Sequence, residues 1–196
     1  MEIKEKIYTN RLILRHFTKN DIQAIFNIYK DEEVNIYLPW YPLKSLKEAE
    51  NLFYEKYENE YKNNNPYKYA ICLKEDNIPI GYIHLSSDDS YDLGYALRKE
   101  LWHKQIMTEA TKAFVEHIKK HSIPYITATH DINNQRSGNV MKNIGMTYCY
   151  TYKEQWQPKN ILVTFRMYQL NLDGRKERIY KGYWNKYSQH FVEKNI

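Results

Sequence analysis

The sequence predicts a mixed α/β domain in which antiparallel strands and one parallel strand pair are flanked by helices. Three observations lead to this fold class. Two N-terminal segments carry apolar residues at helical spacing, extended segments separated by polar turns follow, and two later segments run from a strand directly into a helix. Strands joined by short turns pair antiparallel, whereas strands joined through a helix can pair in parallel.

The N-terminal part is predicted to contain one strand and two amphipathic helices. The strand covers residues 11–15, and residues 18–21 then have the spacing of a helix capping box. The apolar face of the first helix is Ile22, Ile25, Phe26 and Tyr29. A second capping box at 45–48 begins the other helix, which the Asn-Asn-Asn-Pro run at 63–66 ends.

The rest of the domain alternates between strands and helices. Each predicted strand is an apolar run bounded by turn residues, and each predicted helix carries apolar residues three and four positions apart. Three strands, a helix, a strand, a helix and two closing strands are expected at 67–73, 80–85, 91–97, 108–121, 124–129, 137–143, 146–152 and 161–170. Gly145 follows the second of these helices and favours the left-handed conformation of a helix C-cap.

Composition indicates a globular protein. The hydrophobic content of 42% excludes an intrinsically disordered chain, and 196 residues suit one main domain. The net charge of +5 comes from basic residues spread along the chain, which favours a mixed surface over a nucleic-acid-binding face. We see no signal peptide and no run of roughly 18 apolar residues. We therefore expect a cytoplasmic protein with neither DNA nor a membrane as a partner.

Cysteine and histidine usage gives no indication of a metal site, and no metal is expected. Cys72 and Cys149 both lie in predicted strands, where a reduced, buried pair is expected and a disulfide is the alternative. His117 and His121 are one helical turn apart, but His117 falls on the apolar face. We expect it to pack in the core instead of binding a metal.

The pattern changes after Leu172, which divides the chain into a domain at 1–172 and a C-terminal extension at 173–196. The extension begins with charged residues and continues with aromatic residues at near-helical spacing: Tyr180, Tyr183, Trp184, Tyr187 and Phe191. We expect a helix that packs on the domain or on a second copy in a homodimer. A surface that stacks nucleic-acid bases is the alternative.

Two segments, 101–110 and 134–146, each place a short turn before a helix N-terminus, where free N–H groups bind phosphate. The second reads Asn-x-x-Ser-Gly-x-Val-Met-x-x-x-Gly-Met, and the first contains Trp102 and the run Met-Thr-Glu-Ala at 107–110. Together they resemble the GCN5-related N-acetyltransferase (GNAT) superfamily, and within it the branch of ribosomal-protein N-terminal acetyltransferases. The second segment matches that branch closely, whereas His103 and Gln105 stand where the branch has glycines.

The resemblance implies a GNAT fold, whose mostly antiparallel sheet contains a splayed parallel strand pair, and acetyl-CoA as the cofactor. The N–H near Leu97 would contact the thioester carbonyl, Asn134 would hold the pantetheine arm, and Ser137 would lie near the sulfur. The loop and helix start at 103–108 would bind the pyrophosphate. The expected cofactor-binding residues are Leu97, His103, Lys104, Gln105, Ile106, Met107, Thr108, Asn134 and Ser137.

Acetyl transfer from a thioester to an amine needs a base for the amine, a donor to the oxyanion and a proton for the thiolate. In other GNAT branches a tyrosine protonates the thiolate, but Met141 stands at that position. Ser137 or a water molecule would then serve. His84 is the candidate catalytic base, and the alternatives are a solvent relay, Asp88, Asp89 and His130.

The expected acceptor is a primary amine, either a peptide or protein N-terminus or a small molecule. The loops at 39–47 and 152–160 would select it, with Trp40, Tyr41 and Trp156 lining an aromatic substrate pocket. Two alternatives to an active N-acetyltransferase stay open. One is a degenerate member of the fold that binds acyl-CoA or another ligand without turnover, and the other is a ribosome- or RNA-associated binding module.

Overall fold

The computed structural model describes residues 5–63, 65–194 and 196, and within them the chain forms two β-sheets. The strands are β1 Ile7–Tyr8, β2 Leu12–Arg15, β3 Lys68–Leu73, β4 Pro79–Leu85, β5 Leu93–Leu97, β6 Tyr125–Asp131, β7 Thr147–Trp156, β8 Ile161–Asn171 and β9 His190–Phe191. One sheet has the order β1-β2-β3-β4-β5 and the other has the order β6-β8-β7-β9. Neighbouring strands within each sheet are antiparallel.

Helices occupy the connections between these strands. They are α1 Ile22–Tyr29, α2 Glu32–Asn35, α3 Leu46–Leu52, α4 Asn59–Lys62, α5 Ile106–Ile118, α6 Gln135–Asn143 and α7 Gly182–Lys186. A π-helical segment, Phe53–Glu58, joins α3 to α4, so the second predicted helix continues through one widened stretch. Asn64, which belongs to the predicted end of that helix, lies outside the described residues, as do residues 1–4 and 195.

The two sheets meet just before β5. Asp92 and Thr127 form an isolated parallel bridge, and the Thr127 N–H donates to the Tyr91 carbonyl at 3.2 Å. Beyond this bridge β5 and β6 belong to different sheets, and α5 connects them. The mixed α/β class with one splayed parallel pair is therefore confirmed.

The five-stranded sheet is covered on both faces, which explains why β3 and β4 are nearly continuous apolar runs. On one face, Phe114 of α5 lies in a cluster with Leu14 and Ile83. On the other face, Ile25 of α1 packs in a cluster with Tyr82. Helices thus hold β4 and β5 from both sides, and the free edge of β5 faces the gap left by the splayed strands.

The structure confirms the helix caps that the sequence predicts, both at helix N-termini and at a helix C-terminus. Ser45 accepts a hydrogen bond from the Glu48 N–H at 3.2 Å, and the predicted capping box between Thr18 and Asp21 is present. Gly145 adopts a φ of 87° after α6. The sequence did not indicate β1 and α2, because elements of two and four residues are too short to show a period.

The C-terminal extension is less helical than its aromatic spacing predicts. Among the described residues of the extension, only Gly182–Lys186 is helical, because the chain then turns back and pairs its backbone with β7 through Phe191 and His190. This extension packs on the domain, and its role in a homodimer stays a prediction, as does the boundary at 172. Cys72 and Cys149 are free thiols, and burial raises their pKa values to about 12 and about 11.

Candidate active site

A cleft of about 560 Å³ opens where β5 ends and where α5 and α6 begin. Eight of the nine expected cofactor-binding residues line it: Leu97, His103, Gln105, Ile106, Met107, Thr108, Asn134 and Ser137. Lys104 lies outside the cleft wall, and its carbonyl accepts a hydrogen bond from Arg11 Nη1 at 3.0 Å. The two helix N-termini singled out in the sequence therefore border one cavity.

The backbone of Leu97 offers a hydrogen-bond donor to this cleft. The Arg98 N–H donates to the Ile80 carbonyl of β4 at 3.0 Å. Successive residues of a strand direct their N–H groups to opposite edges, so the Leu97 N–H points away from β4. The Leu97 carbonyl accepts from Trp102 Nε1 at 2.8 Å, which fixes this end of β5.

The loop before α5 keeps a glycine-like backbone without glycine. His103 and Gln105 have φ values of 61° and 60°, the left-handed region that glycine enters without strain. Gln105 is also the N-cap residue of α5, and no described side chain caps the first turn. The first N–H groups of a 13-residue helix are thus left for a ligand, and the helix dipole favours an anion there.

Glu109 serves as a structural clamp for this loop. Its carboxylate accepts from Thr9 Oγ1 at 2.6 Å and from Arg11 Nε at 2.7 Å. Arg11 also holds the Lys104 carbonyl, so the turn between β1 and β2 supports the loop from behind. This arrangement agrees with a role for Glu109 at the helix start instead of in catalysis.

The start of α6 brings two hydroxyl groups together in the cleft. Asn134 caps the helix through a 3.3 Å hydrogen bond from the Ser137 N–H, which leaves the Asn134 amide NH2 for a ligand. The Tyr95 hydroxyl lies 3.0 Å from Ser137 Oγ and donates to the Ser137 carbonyl at 3.0 Å. Burial raises the pKa of Tyr95, so this hydroxyl keeps its proton at neutral pH.

The charge of the cleft wall suits a polyanion. Arg136 and Lys142 of α6 lie on the wall, and the Arg136 guanidinium is 4.2 Å from the Trp102 ring centroid. This cation–π contact holds a positive charge beside the loop that contains His103. Glu33 is the one carboxylate on the described wall.

A comparison with protein families identifies the domain. The family described as the acetyltransferase (GNAT) domain matches residues 11–147, which is well over half of the chain. The chain belongs to the GNAT acetyltransferase family. It is therefore an acyltransferase, and enzymes of this family use acetyl-CoA.

Individual relatives of this GNAT chain agree with the family match. The uncharacterized N-acetyltransferase YnaD of Bacillus subtilis is 29% identical over 148 residues, which is 71% of this chain and 81% of YnaD. A GNAT acetyltransferase from Bacillus anthracis shares the fold with a TM-score of 0.74 and 22% identity, covering 86% of this chain and 99% of that one. RimL, an alpha-N-protein acetyltransferase of a ribosomal protein in complex with coenzyme A, has a TM-score of 0.75 and 19% identity with the same coverage.

The hydrogen-bond donors and the positive charges of the GNAT cleft suit coenzyme A. The N-terminus of α5 provides backbone N–H groups, Arg136 and Lys142 provide positive charge, and Asn134 keeps a free amide group beside them. Left-handed φ values at His103 and Gln105 show that the missing glycines do not abolish the loop geometry. Other residue types can adopt this region at a cost of roughly 1–2 kcal/mol per residue.

The loop geometry gives a first testable prediction for this GNAT protein. We expect Gln105→Gly to keep or raise the free energy of unfolding by up to about 1 kcal/mol, because glycine relieves the left-handed strain. We expect Gln105→Val to lower it by about 1 kcal/mol or more and to weaken coenzyme A binding, because a β-branched side chain resists this φ. Urea unfolding and calorimetric titration check both variants, and equal stability of the two would contradict the argument.

His84, the candidate base from the sequence, lies apart from the cleft. It follows Tyr82 by two residues on β4, so it faces the α1 side, where its ring stacks on Tyr82 and lies over Gly94. Burial, together with the charges of Lys56 and Lys68, lowers the pKa of His84 to about 3. An imidazole with this pKa is a weak proton acceptor at neutral pH, and the role of His84 as the base stays a prediction from the sequence.

The three alternative side chains are held by structural contacts. Asp88 accepts from the Ser90 N–H at 2.9 Å within its own turn, and Asp89 accepts from the Tyr180 hydroxyl at 3.2 Å. His130 Nδ1 lies 2.8 Å from the Asp131 carbonyl, and burial lowers its pKa.

The aromatic residues expected to bind substrate each make local contacts, and their role in a substrate pocket stays a prediction. Trp40 packs beside Tyr29, with their ring centroids 6.0 Å apart, and Trp156 packs on Phe165 at 4.9 Å. Tyr41 is exposed, and its hydroxyl donates to the Pro158 carbonyl at 3.4 Å. This hydrogen bond shows that the two loops meet, and Lys159 Nζ also donates to the Asn35 carbonyl at the end of α2.

Asp92 is a candidate functional residue that the sequence reasoning missed. It stands at the bridge between the two sheets, and its Oδ1 is buried without a hydrogen-bond partner among the described residues. Burial, together with the nearby carboxylate of Asp88, raises the pKa of Asp92 to about 7. The signal available in the sequence was an acidic residue immediately before an apolar strand.

Residues 5–63, 65–194 and 196 contain neither a metal-ligand cluster nor a membrane-spanning helix. No cluster of three or more His, Cys, Asp or Glu side chains in this part of the chain is arranged to hold a metal ion. Within the same ranges, no helix combines the length and apolar character needed to cross a lipid bilayer.

Proposed function

We propose that this GNAT protein transfers an acetyl group from acetyl-CoA directly to a primary amine. The observation that carries the proposal is the convergence of the Leu97 N–H, the Ser137 and Tyr95 hydroxyls and the N-terminus of α5 on one cleft. Acetyl-CoA supplies the acetyl group as a thioester. The residues of the chain hold this group, stabilise negative charge and move protons.

The cleft residues divide these tasks by position. The Leu97 N–H is fixed on the edge of β5, where a donor can stabilise negative charge that develops on the carbonyl oxygen. The Ser137 hydroxyl, paired with Tyr95, can give a proton to the leaving thiolate. This pair replaces the tyrosine that other branches place where Met141 stands, and Met141 itself is buried in the core.

Asp92 is our candidate for the base that takes the proton from the amine. Its side chain alternates with Leu93, so it faces the side of β5 opposite to the α5 cluster, where an acceptor can approach without crossing the cofactor. A carboxylate with a pKa of about 7 is matched to proton transfer near neutral pH. Leu97 follows Asp92 by five residues, about 16 Å along an extended strand. A chain of several water molecules would therefore have to relay the proton from the amine to Asp92.

The acceptor that we favour is the N-terminus of a peptide or protein in the cytoplasm. The support is the similarity of residues 134–146 to the ribosomal-protein branch and the structural likeness to RimL. A small-molecule amine is the other member of the same acceptor class, and both present an unhindered primary amine.

Calorimetric titration with acetyl-CoA and with CoA tests the cofactor part of this proposal. We expect binding by the wild-type protein and a roughly tenfold weaker affinity for Asn134→Ala, which removes one hydrogen-bonding amide. Asn51→Ala, on the exposed face of α3, is the matched control and should leave the affinity unchanged.

Thermal unfolding must accompany the titration, because Asn134 also caps α6 and its loss costs about 1 kcal/mol of stability. A folded wild-type protein that binds neither acetyl-CoA nor CoA would overturn the proposal and support a degenerate member of the family.

A further inference from the structure

The cleft extends beyond the elements expected to hold the cofactor. Four residues of α2 and the loop after it also line the cavity: Glu33, Val34, Tyr37 and Leu38. Between the two parts of the wall lies the end of β5, where Leu97 packs with the α5 cluster and Ala96 packs with the α1 cluster. The cleft therefore reaches round β5 to a second side, the α2 side at residues 33–38, which the N-termini of α5 and α6 do not occupy.

The short helix α2, which carries Glu33, is held at both ends by side chains. Asp31 Oδ1 accepts from the N–H groups of Glu33 and Val34 at 2.9 Å and 3.2 Å. At the other end, Lys159 Nζ donates to the Asn35 carbonyl at 2.5 Å, and the Asn35 amide donates to the Asp31 carbonyl at 2.7 Å. A helix of four residues is not stable by itself, so these contacts fix the backbone of Glu33 beside the cleft.

Glu33 provides the one carboxylate on the described wall of the cleft, and its side chain is 50% exposed. Its ion pair is loose, because Lys99 Nζ lies 3.6 Å from Glu33 Oε2 and 3.5 Å from Asp31 Oδ2. Charge-assisted hydrogen bonds are shorter, at about 2.7–2.9 Å. Lys99 can therefore stay beside Asp31 when another cation approaches Glu33. A carboxylate repels the phosphates of the cofactor, so a positively charged acceptor is the ligand that this position suits.

We propose that Glu33 selects the acceptor by binding its ammonium group on the α2 side of the cleft. This inference rests on the proposed acetyl transfer. The substrate class is a primary ammonium with no carboxylate beside it, such as a peptide N-terminus or an alkylammonium, because Glu33 repels the carboxylate of a free amino acid. Glu33 takes no proton in this scheme. It binds the acceptor in its charged form, so its loss raises the KM for the amine and leaves kcat unchanged.

The test compares Glu33→Gln with Glu32→Gln in the full-length protein. Both variants change one exposed carboxylate of α2 to an amide, but only Glu33 lines the cleft. With a primary amine that the wild type acetylates, we expect Glu33→Gln to raise the KM for the amine about three- to tenfold, the effect of losing one partly exposed charged contact. Glu32→Gln should keep the wild-type KM. An unchanged KM in Glu33→Gln, or an equal rise in both variants, overturns the inference.

Lys99→Gln separates acceptor binding from a merely structural ion pair. If the pair with Lys99 only held the loop, losing either partner would change the KM for the amine in the same way. We expect Lys99→Gln to lower this KM or leave it unchanged, because the variant removes a cation that competes for Glu33. A rise equal to that in Glu33→Gln overturns the inference.

A binding measurement keeps this inference separate from the reaction. The probe is trialanine amide with a free N-terminus, and its N-acetylated form is the control without the ammonium charge. Both are titrated into the protein with CoA present and followed by NMR at the Val34 backbone amide. We expect the wild type to prefer the free form and Glu33→Gln to lose this preference. Equal binding of both probes by the wild type overturns the inference. A wild type that acetylates no amine overturns the proposed function, and the titration still decides the role of Glu33.

Discussion

Asp92→Asn is expected to lower the rate of acetyl transfer by about 10²–10⁴-fold, the usual contribution of a positioned base. The amide has nearly the shape of the carboxylate but cannot take the proton from the acceptor. The measurement is acetyl transfer at saturating acetyl-CoA across the pH range. Asp89→Asn, which changes an exposed carboxylate three residues away, is the control and should keep the wild-type rate.

Asp92→Asn should also stabilise the protein at alkaline pH. The folded-state pKa of Asp92 is about 7, above its ordinary value of 3.8. The folded protein therefore holds this proton more tightly than the unfolded chain, and the stability that it contributes is complete below pH 3.8 and lost as pH rises to about 7. Asparagine avoids this loss, so we expect a gain on the order of 1–3 kcal/mol at pH 8 and little gain at pH 4. The measurement is urea unfolding at both pH values. An equal gain in the free energy of unfolding at pH 4 and pH 8 would contradict the raised pKa of Asp92.

Leu97→Pro is expected to lower the rate of acetyl transfer by about 10²–10³-fold, because proline removes the backbone donor to the oxyanion. The substitution spares the sheet, since the Leu97 N–H points away from β4 and makes no ladder hydrogen bond there. The measurement is a single-turnover rate with enzyme in excess over acetyl-CoA.

Leu97→Ala is the matched variant for this test. Leu97 is buried in the main core, so both substitutions lose packing and should destabilise the fold by about 2–4 kcal/mol. Only Leu97→Pro removes the N–H group. Equal single-turnover rates for the two folded variants would exclude the Leu97 amide from the reaction.

The elements that could be predicted from the sequence are those with strong local signals. The N-cap at Ser45, the C-cap at Gly145 and the two helix N-termini at α5 and α6 all depend on neighbours in the chain, and the structure has each of them. The cofactor cleft could also be predicted from the sequence, because both helix starts carry motif residues that resemble those of a known family.

The acceptor side depends on long-range geometry that no local pattern records. His84 was a reasonable candidate by residue type, but strand alternation turned it toward α1, where burial lowers its pKa. Tyr95 joined the site because its strand lies beside Ser137 of a helix 42 residues away. Asp92 lies at the bridge between the two sheets, where burial raises its pKa, and neither effect has a local signal in the sequence.

The most direct test of the central claim is mass spectrometry of acetyl transfer from acetyl-CoA to a panel of primary amines, including peptides with free N-termini and small alkylamines. We predict that the wild-type protein adds one acetyl group to the amine nitrogen of at least one acceptor, and that Leu97→Pro and Asp92→Asn do so far more slowly. Acetylation by both variants at the wild-type rate would contradict the account. So would the absence of any acetylation by a wild-type protein that binds acetyl-CoA.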